Sequence, residues 1–295
     1  MKNFDLSYVD LLTRVGETNR CPGGKRTIRR IARSLGVGPD TKVLEIGSNT
    51  GFTSIELVKI TGCSAVGIDV NESAVAAARE NAANLAGDLS ERIVFHVADA
   101  RDLPFPSTQF DLIICGGANT FIQERDQAFA EYHRVLRPYG FVSITNLYYD
   151  TEPAAELSAD LSDILGFEVP AHGLTDWLRI LSPDGWELYD VSTTKLTARP
   201  THVIDEYVDT LCNYRLADVP QAERAKITQQ WRHVMHVFNR NHSHLSFMEL
   251  ILRHDDIPEE PEVFLRKGQY DPFFEFAFVG RNGAVDLTRR ATEFL

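Results

Sequence analysis

Residues 43–51, Val-Leu-Glu-Ile-Gly-Ser-Asn-Thr-Gly, constrain this chain more than any other stretch. An apolar run stops at a glycine-bounded turn, and a helical pattern resumes at once. Val43, Leu44 and Ile46 predict a short buried strand, and Phe52 to Ile60 the helix that follows it. In an α/β sheet such a turn is a ligand site, because glycine lets backbone approach a ligand closely. The dinucleotide fingerprint requires three glycines, whereas here Asn49 stands between Gly47 and Gly51. Glu45, two residues before the first glycine, would repel a pyrophosphate and suits a ligand that carries a positive group.

Three further strand ends repeat the theme. Val66-Gly-Ile-Asp69 closes on a carboxylate twenty-four residues after Glu45, the length of one strand–helix–strand unit. An acid there reaches the two hydroxyls of an adenosine ribose. A third strand, Ile93 to Val97, runs into Asp99-Ala100, and a fourth, Phe110 to Cys115, runs into Gly116-Gly117.

Taken in order with the turn Leu136-Arg137-Pro138-Tyr139-Gly140, these pieces resemble the class I S-adenosylmethionine-dependent methyltransferases, specifically the small-molecule, quinone methyltransferase-like branch. The resemblance covers roughly residues 40–147. It implies a doubly wound α/β fold, a seven-stranded Rossmann-like sheet of order 3-2-1-4-5-7-6 whose last strand is antiparallel. It implies S-adenosylmethionine as cofactor and S-adenosylhomocysteine as product. The implied cofactor-binding residues are Glu45 toward the methionine ammonium and Gly47, Ser48, Asn49 and Gly51 along its carboxylate end. Asp69 would hold the ribose, Val70 lie against the adenine, Asp99 and Ala100 meet the adenine edge, and Cys115 and Gly116 border the sulfonium. Asn49 departs from the family's middle glycine, but asparagine tolerates left-handed backbone better than most residues. The implied reaction is in-line methyl transfer to an O, N or C atom of a small metabolite, of the kind found in secondary metabolism. Two alternatives stand beside it: a protein or enzyme that binds the cofactor without methylating, and a nicotinamide-dependent oxidoreductase, against which Glu45 and the missing glycine argue.

Charge and composition narrow the partners. The net charge is −12 and no run of Lys and Arg sits beside aromatics, so a nucleic-acid partner is not expected. Cys21, Cys63, Cys115 and Cys212 are scattered without Cys-x-x-Cys spacing and read as reduced thiols. No stretch approaches the roughly 20 apolar residues of a membrane span, and no basic-then-apolar leader is evident. The sequence therefore predicts a soluble, cytoplasmic protein without a membrane partner.

The flanks predict four units: a helical cap over 1–38, a cofactor-binding core over 39–202 with a lid segment at 151–182, an inserted helical lobe over 203–265, and a final strand with a tail over 266–295. Tyr8, Leu11, Leu12 and Val15 share a helical face, and a second helix ends at Gly36. Between them Cys21-Pro-Gly-Gly24 reads first as an ordinary turn. In the lobe, Val203, Tyr207, Leu211 and Tyr214 form one predicted apolar stripe and Ile227, Trp231, Val234 and Phe238 another, a candidate homodimer face. Phe274 to Val279, alternating Phe274, Phe276 and Phe278 with Glu275 and Ala277, is the predicted last strand. His233, His236, His242, His244 and His254 cluster in the lobe without a carboxylate or thiol at a metal-ligand spacing, so no metal is expected. If the acceptor needs a base or a positioning group, the candidates are Tyr8, Tyr148, His172, His236 and His242.

Overall fold

The computed structural model describes residues 6–18, 20–183 and 186–254. Its frame is a seven-stranded sheet of order β3-β2-β1-β4-β5-β7-β6, the order the resemblance implied. β1 (Lys42–Ile46), β2 (Ser64–Asp69), β3 (Ile93–Val97), β4 (Phe110–Cys115) and β5 (Leu136–Tyr149) pair in parallel. β7 (Leu245–Arg253) lies antiparallel between β5 and β6 (Glu187–Lys195).

That placement corrects the expected last strand. The seventh position is filled by Leu245–Arg253, inside the stretch assigned to the lobe, and Phe274–Val279 lies outside the described residues. Leu-Ser-Phe-Met-Glu-Leu-Ile-Leu-Arg suits a central strand, since all but the terminal arginine are buried. Such a strand reads as a near-continuous apolar run and lacks the alternation of a half-exposed one.

Two helical layers cover the sheet. α2 (Lys25–Ser34), α3 (Phe52–Thr61) and α4 (Glu72–Ala83) pack on one face, around Val43, Leu112, Ile114 and Phe95. α5 (Arg125–Val135) and α7 (Leu174–Leu181) pack on the other, against Leu44, Ile46, Val142, Ile144, Met248 and Leu250. Adjacent strand residues thus feed opposite cores, as the pleat requires. Asn71 caps α4, its Oδ1 accepting from the Ala74 amide at 3.0 Å.

A third core lies apart from the sheet. α1 (Tyr8–Val15), α6 (Ala155–Leu165), α8 (Thr201–Arg215) and the 21-residue α9 (Gln221–Asn241) enclose Leu11, Val15, Leu161, Val208 and Trp231. The N-terminal cap is thereby split: α1 belongs to the lobe's core, whereas α2 belongs to the sheet's. The α9 stripe is as expected, with Ile227, Trp231 and Val234 buried. The α8 stripe is one position off. Ile204, Val208 and Cys212 face inward, while Val203 is 40% exposed and Tyr214 is 76% exposed. Aromatic size misleads there, because periodicity alone does not choose between neighbouring stripes of similar apolarity.

Candidate functional site

The turn after β1 is left-handed at three residues. Gly47 has φ 70°, Asn49 φ 46° and Gly51 φ 85°. Asn49 therefore occupies the backbone conformation that a middle glycine would supply. The turn is tied to the end of β2, where Asn49 N–H donates to Asp69 Oδ2 at 2.9 Å, and the other oxygen, Oδ1, accepts locally from Asn71 N–H at 2.9 Å. The Ser48 amide donates to the Ile68 carbonyl at 2.8 Å. A Cβ on Gly47 would lie 2.4 Å from the Ala118 methyl, so the turns after β1 and β4 touch.

Glu45 sits beneath this turn, 3% exposed. Its Oε2 accepts from the Ser54 amide at 3.0 Å and from the Ser54 hydroxyl. Gly51 offers α3 no side-chain cap, and Glu45 supplies that service from the neighbouring strand. Burial pushes its carboxyl up to about 7, partly offset by the hydrogen bonds from Ser54 and Thr53. The carboxylate expected to meet an ammonium thus acts first on the helix start.

At the other strand ends, Asp99 is clamped by Arg101, whose Nη2 reaches Oδ2 at 2.6 Å and whose amide reaches Oδ1 at 2.9 Å. These bonds hold its carboxyl below the usual range. Arg101 also pairs with Glu124 at 2.6 Å. Ala100 is buried behind it. Val70, the residue after Asp69, leaves its side chain 71% exposed, and Val97 at the end of β3 is also exposed. Two apolar side chains are thus left exposed at the ends of β2 and β3.

The end of β4 divides differently from expectation. The Cys115 side chain is fully buried among the α5 and α7 contacts, and burial pushes its thiol up to about 12. It contributes no surface to the rim, which Gly116 and Gly117 form instead. A Cβ on Gly116 would lie 2.9 Å from the Cys21 Cβ, and one on Gly23 would lie 2.9 Å from the Phe247 ring. The Cys21-Pro-Gly-Gly24 turn is therefore laid across the ends of β4 and β7. Four thiols, Cys21, Cys63, Cys115 and Cys212, are free and buried, as their spacing suggested.

The five candidate bases do not assemble into one constellation. Tyr8 lies within the lobe, edge-on to Phe238 at 5.4 Å, and burial pushes its hydroxyl up to about 12. His236 pairs with Asp205 at 2.9 Å between α9 and α8. Tyr148 is buried on the α7 side of β5. His172 accepts the Tyr149 amide on its carbonyl at 2.9 Å and packs its ring on Trp177 at 5.2 Å. His242 opens the turn after α9, and burial lowers its imidazole. The backbones of His172 and His244 both reach the end of β5, where the Asp150 amide donates to the His244 carbonyl at 2.9 Å. His133 on α5 stacks against His254 with ring centroids 3.9 Å apart.

Sequence reasoning missed Arg101, which holds Asp99, and Glu249. Glu249 is 6% exposed, accepts from the Thr27 hydroxyl at 3.0 Å and pairs with Arg30 at 3.2 Å. One acid inside an otherwise apolar strand was the available signal.

A doubly wound sheet of this order, with a glycine-bounded turn tied to a ribose-type acid, defines a nucleoside-binding methyltransferase fold. Comparison with known proteins agrees. A methyltransferase-domain family matches residues 43–140. A Haemophilus influenzae protein of no described function is 30% identical over 64% of this chain and 75% of its own length. The 27-O-demethylrifamycin SV methyltransferase of Amycolatopsis mediterranei is 29% identical over 46% of this chain and 48% of its own. The crystal structure of MccD protein superposes with a TM-score of 0.69 at 26% identity, over 80% of this chain and all of that one. The chain belongs to the class I S-adenosylmethionine-dependent methyltransferases, and S-adenosylmethionine is the family's cofactor. It spans between 30% and 63% of the length of the curated relatives it matches whose methyltransferase activity is named, which leaves the acceptor to be argued from the site.

Proposed function

We propose that this protein transfers a methyl group from S-adenosylmethionine to a small-molecule acceptor, O, N or C, by in-line displacement. The observation that carries the reading is the three-residue left-handed turn at Gly47, Asn49 and Gly51, fastened to Asp69 by the Asn49 amide. The residues fit the cofactor on two further counts. Ser48 presents a buried hydroxyl without a protein partner, and Val70 leaves an apolar face open beside Asp69.

When bound, the cofactor supplies an activated methyl on a cationic sulfur. In this reading Asp69 accepts from the ribose hydroxyls on the lone pairs its two amides leave free. Val70 lies on the adenine face, and Asp99, oriented by Arg101, meets its amino group beside the Ala100 backbone. The backbone from Gly47 to Gly51 leaves room for the methionine carboxylate end at the start of α3, where the helix dipole favours an anion. Glu45 fixes that helix start and places negative charge behind the ammonium. Gly116 borders the sulfonium. Most of the acceleration comes from alignment, which can contribute roughly 7–11 kcal/mol. The lid helices α6 and α7, the lobe helices α8 and α9, and the Cys21–Gly24 turn close over the acceptor. Tyr148, His172 and His242, on segments that reach the end of β5, are the candidates to position it or take its proton. Tyr8 and His236 act within the lobe.

Calorimetric titration with S-adenosylmethionine, S-adenosylhomocysteine and NADH tests the reading. Micromolar binding of the first two and none of the third is the expected result. Binding of NADH alone would overturn it. Among the described residues no helix is long and apolar enough to cross a membrane. We infer a cytoplasmic protein that acts on a free metabolite and not on nucleic acid, with the lobe as its candidate homodimer face.

A further inference from the structure

The register of the sheet draws one line across the site. Ile46, Cys115, Ile144, Leu250 and Val191 are successive cross-strand partners. One residue beyond that line toward the ligand side come Gly47, Gly116, Thr145, Glu249 and Ser192. Thr145, Glu249 and Ser192 are themselves paired in register. The row therefore begins at the cofactor turn, passes the rim of β4 and ends in a carboxylate between two hydroxyls.

Those hydroxyls have no protein partner. Thr145 Oγ1 is buried, with the residue 1% exposed, and Ser192 Oγ is buried beside the carboxylate on the other side. Ser143, one step back on the same face, is a third buried hydroxyl without a partner. Buried polar atoms are nearly always satisfied, so a row of orphans marks where water or a ligand group sits. Glu249 has capacity to spare: Thr27 takes one oxygen, Arg30 the other, and an ionised carboxylate has about four acceptor positions. Arg30 is shared with Asp190 at 3.9 Å. The Cys21 turn and Phe247 roof the row.

We propose that Thr145, Glu249 and Ser192 form the acceptor subsite, and that it takes a group bearing N–H or O–H, an amine or a hydroxyl compound. A carboxylate or a phosphate is disfavoured: the Thr145 and Ser192 hydroxyls can donate to it, but its charge would stand against that of Glu249. This rests on the methyltransferase reading, which places the sulfonium at Gly116, one strand away from Thr145. Glu249 donates nothing to the reaction. It orients the acceptor's proton-bearing atom so that the lone pair faces the methyl.

Saturation-transfer NMR on the whole protein, with and without S-adenosylhomocysteine, tests it using ethanolamine, phenol, acetate and inorganic phosphate as probes. Ethanolamine and phenol should show contact, acetate and phosphate none. Glu249→Gln should weaken ethanolamine retention roughly tenfold or more, the loss expected for a hydrogen bond to a charged group. Its affinity for S-adenosylhomocysteine should stay near that of the parent protein. Thr145→Val, nearly isosteric, should weaken retention with Glu249 intact, and covers the case in which Glu249→Gln does not fold. Equal contact from acetate, no contact from ethanolamine and phenol, or unchanged retention in a folded Glu249→Gln or in Thr145→Val would overturn the proposal. Failure of S-adenosylhomocysteine to bind the parent protein would instead overturn the methyltransferase reading, and the arm without it would still report on Glu249.

Discussion

Asp69 carries two burdens, and its removal should show both. It fastens the β1 turn through Asn49 and, in the proposed function, holds the ribose. Asp69→Ala should weaken S-adenosylhomocysteine binding by about 1.5–3 kcal/mol, read by calorimetry. Asn49 allows a cleaner separation. At φ 46° a glycine costs nothing in strain, whereas alanine loses about 1–2 kcal/mol, so Asn49→Gly should match the parent in thermal stability and Asn49→Ala should fall below it. Glu45 gives a pH signature. Its carboxyl titrates near 7 in the folded chain and lower once unfolded, so between those values the folded state holds the extra proton. Stability from this group is therefore present at acid pH and declines as pH rises from about 4.3 toward 7. Glu45→Gln, which retains an acceptor for the Ser54 amide, should flatten the fall in melting temperature across that window. The acids at the strand ends were legible in the sequence because they sit at fixed places in a repeated pattern. Arg101 and Glu249 were not. A clamp on a neighbouring acid is an ordinary surface arginine in one dimension, and the burial of Glu249 depends on α2, more than two hundred residues earlier.

At the scale of elements, the sequence pattern located the first four strands and the helices α1 to α3. It failed where two readings had similar apolarity. On α8, Val203, Tyr207, Leu211 and Tyr214 competed with Ile204, Val208 and Cys212, and packing against α9 chose the second set. Substitution separates them. Val208→Asp should buy a large loss of stability, because it buries an unpaired charge, whereas Val203→Asp should stay within about 0.5 kcal/mol by denaturant unfolding. The misplaced seventh strand has a different cause. Leu245–Arg253 follows a long helix without a Gly or Pro break, whereas Phe274–Val279 shows clean alternation. Central strands do not alternate, and the rule that finds edge and half-exposed strands passed over this one.

The whole molecule has three cores, two on the sheet and one in the lobe, and α1 and α2 place the N-terminal segment in both parts. A ligand held between them stabilises the assembly as a unit. At one hundred times its dissociation constant, S-adenosylhomocysteine should add about 2.7 kcal/mol and raise the melting temperature by several degrees in a single transition. Two transitions, only one of them shifted, would show that the lobe melts independently.

The position of β7 also bears on how the chain is made. It is the last described strand in sequence, yet it stands inside the sheet, between β5 and β6. Until synthesis passes residue 253, the nascent chain exposes two unpaired strand edges and a wide apolar gap. Such edges invite pairing with other chains. Closure of the sheet therefore waits until residues 245–253 have left the ribosome, after the other six described strands, and until then the edges it will cover stay open.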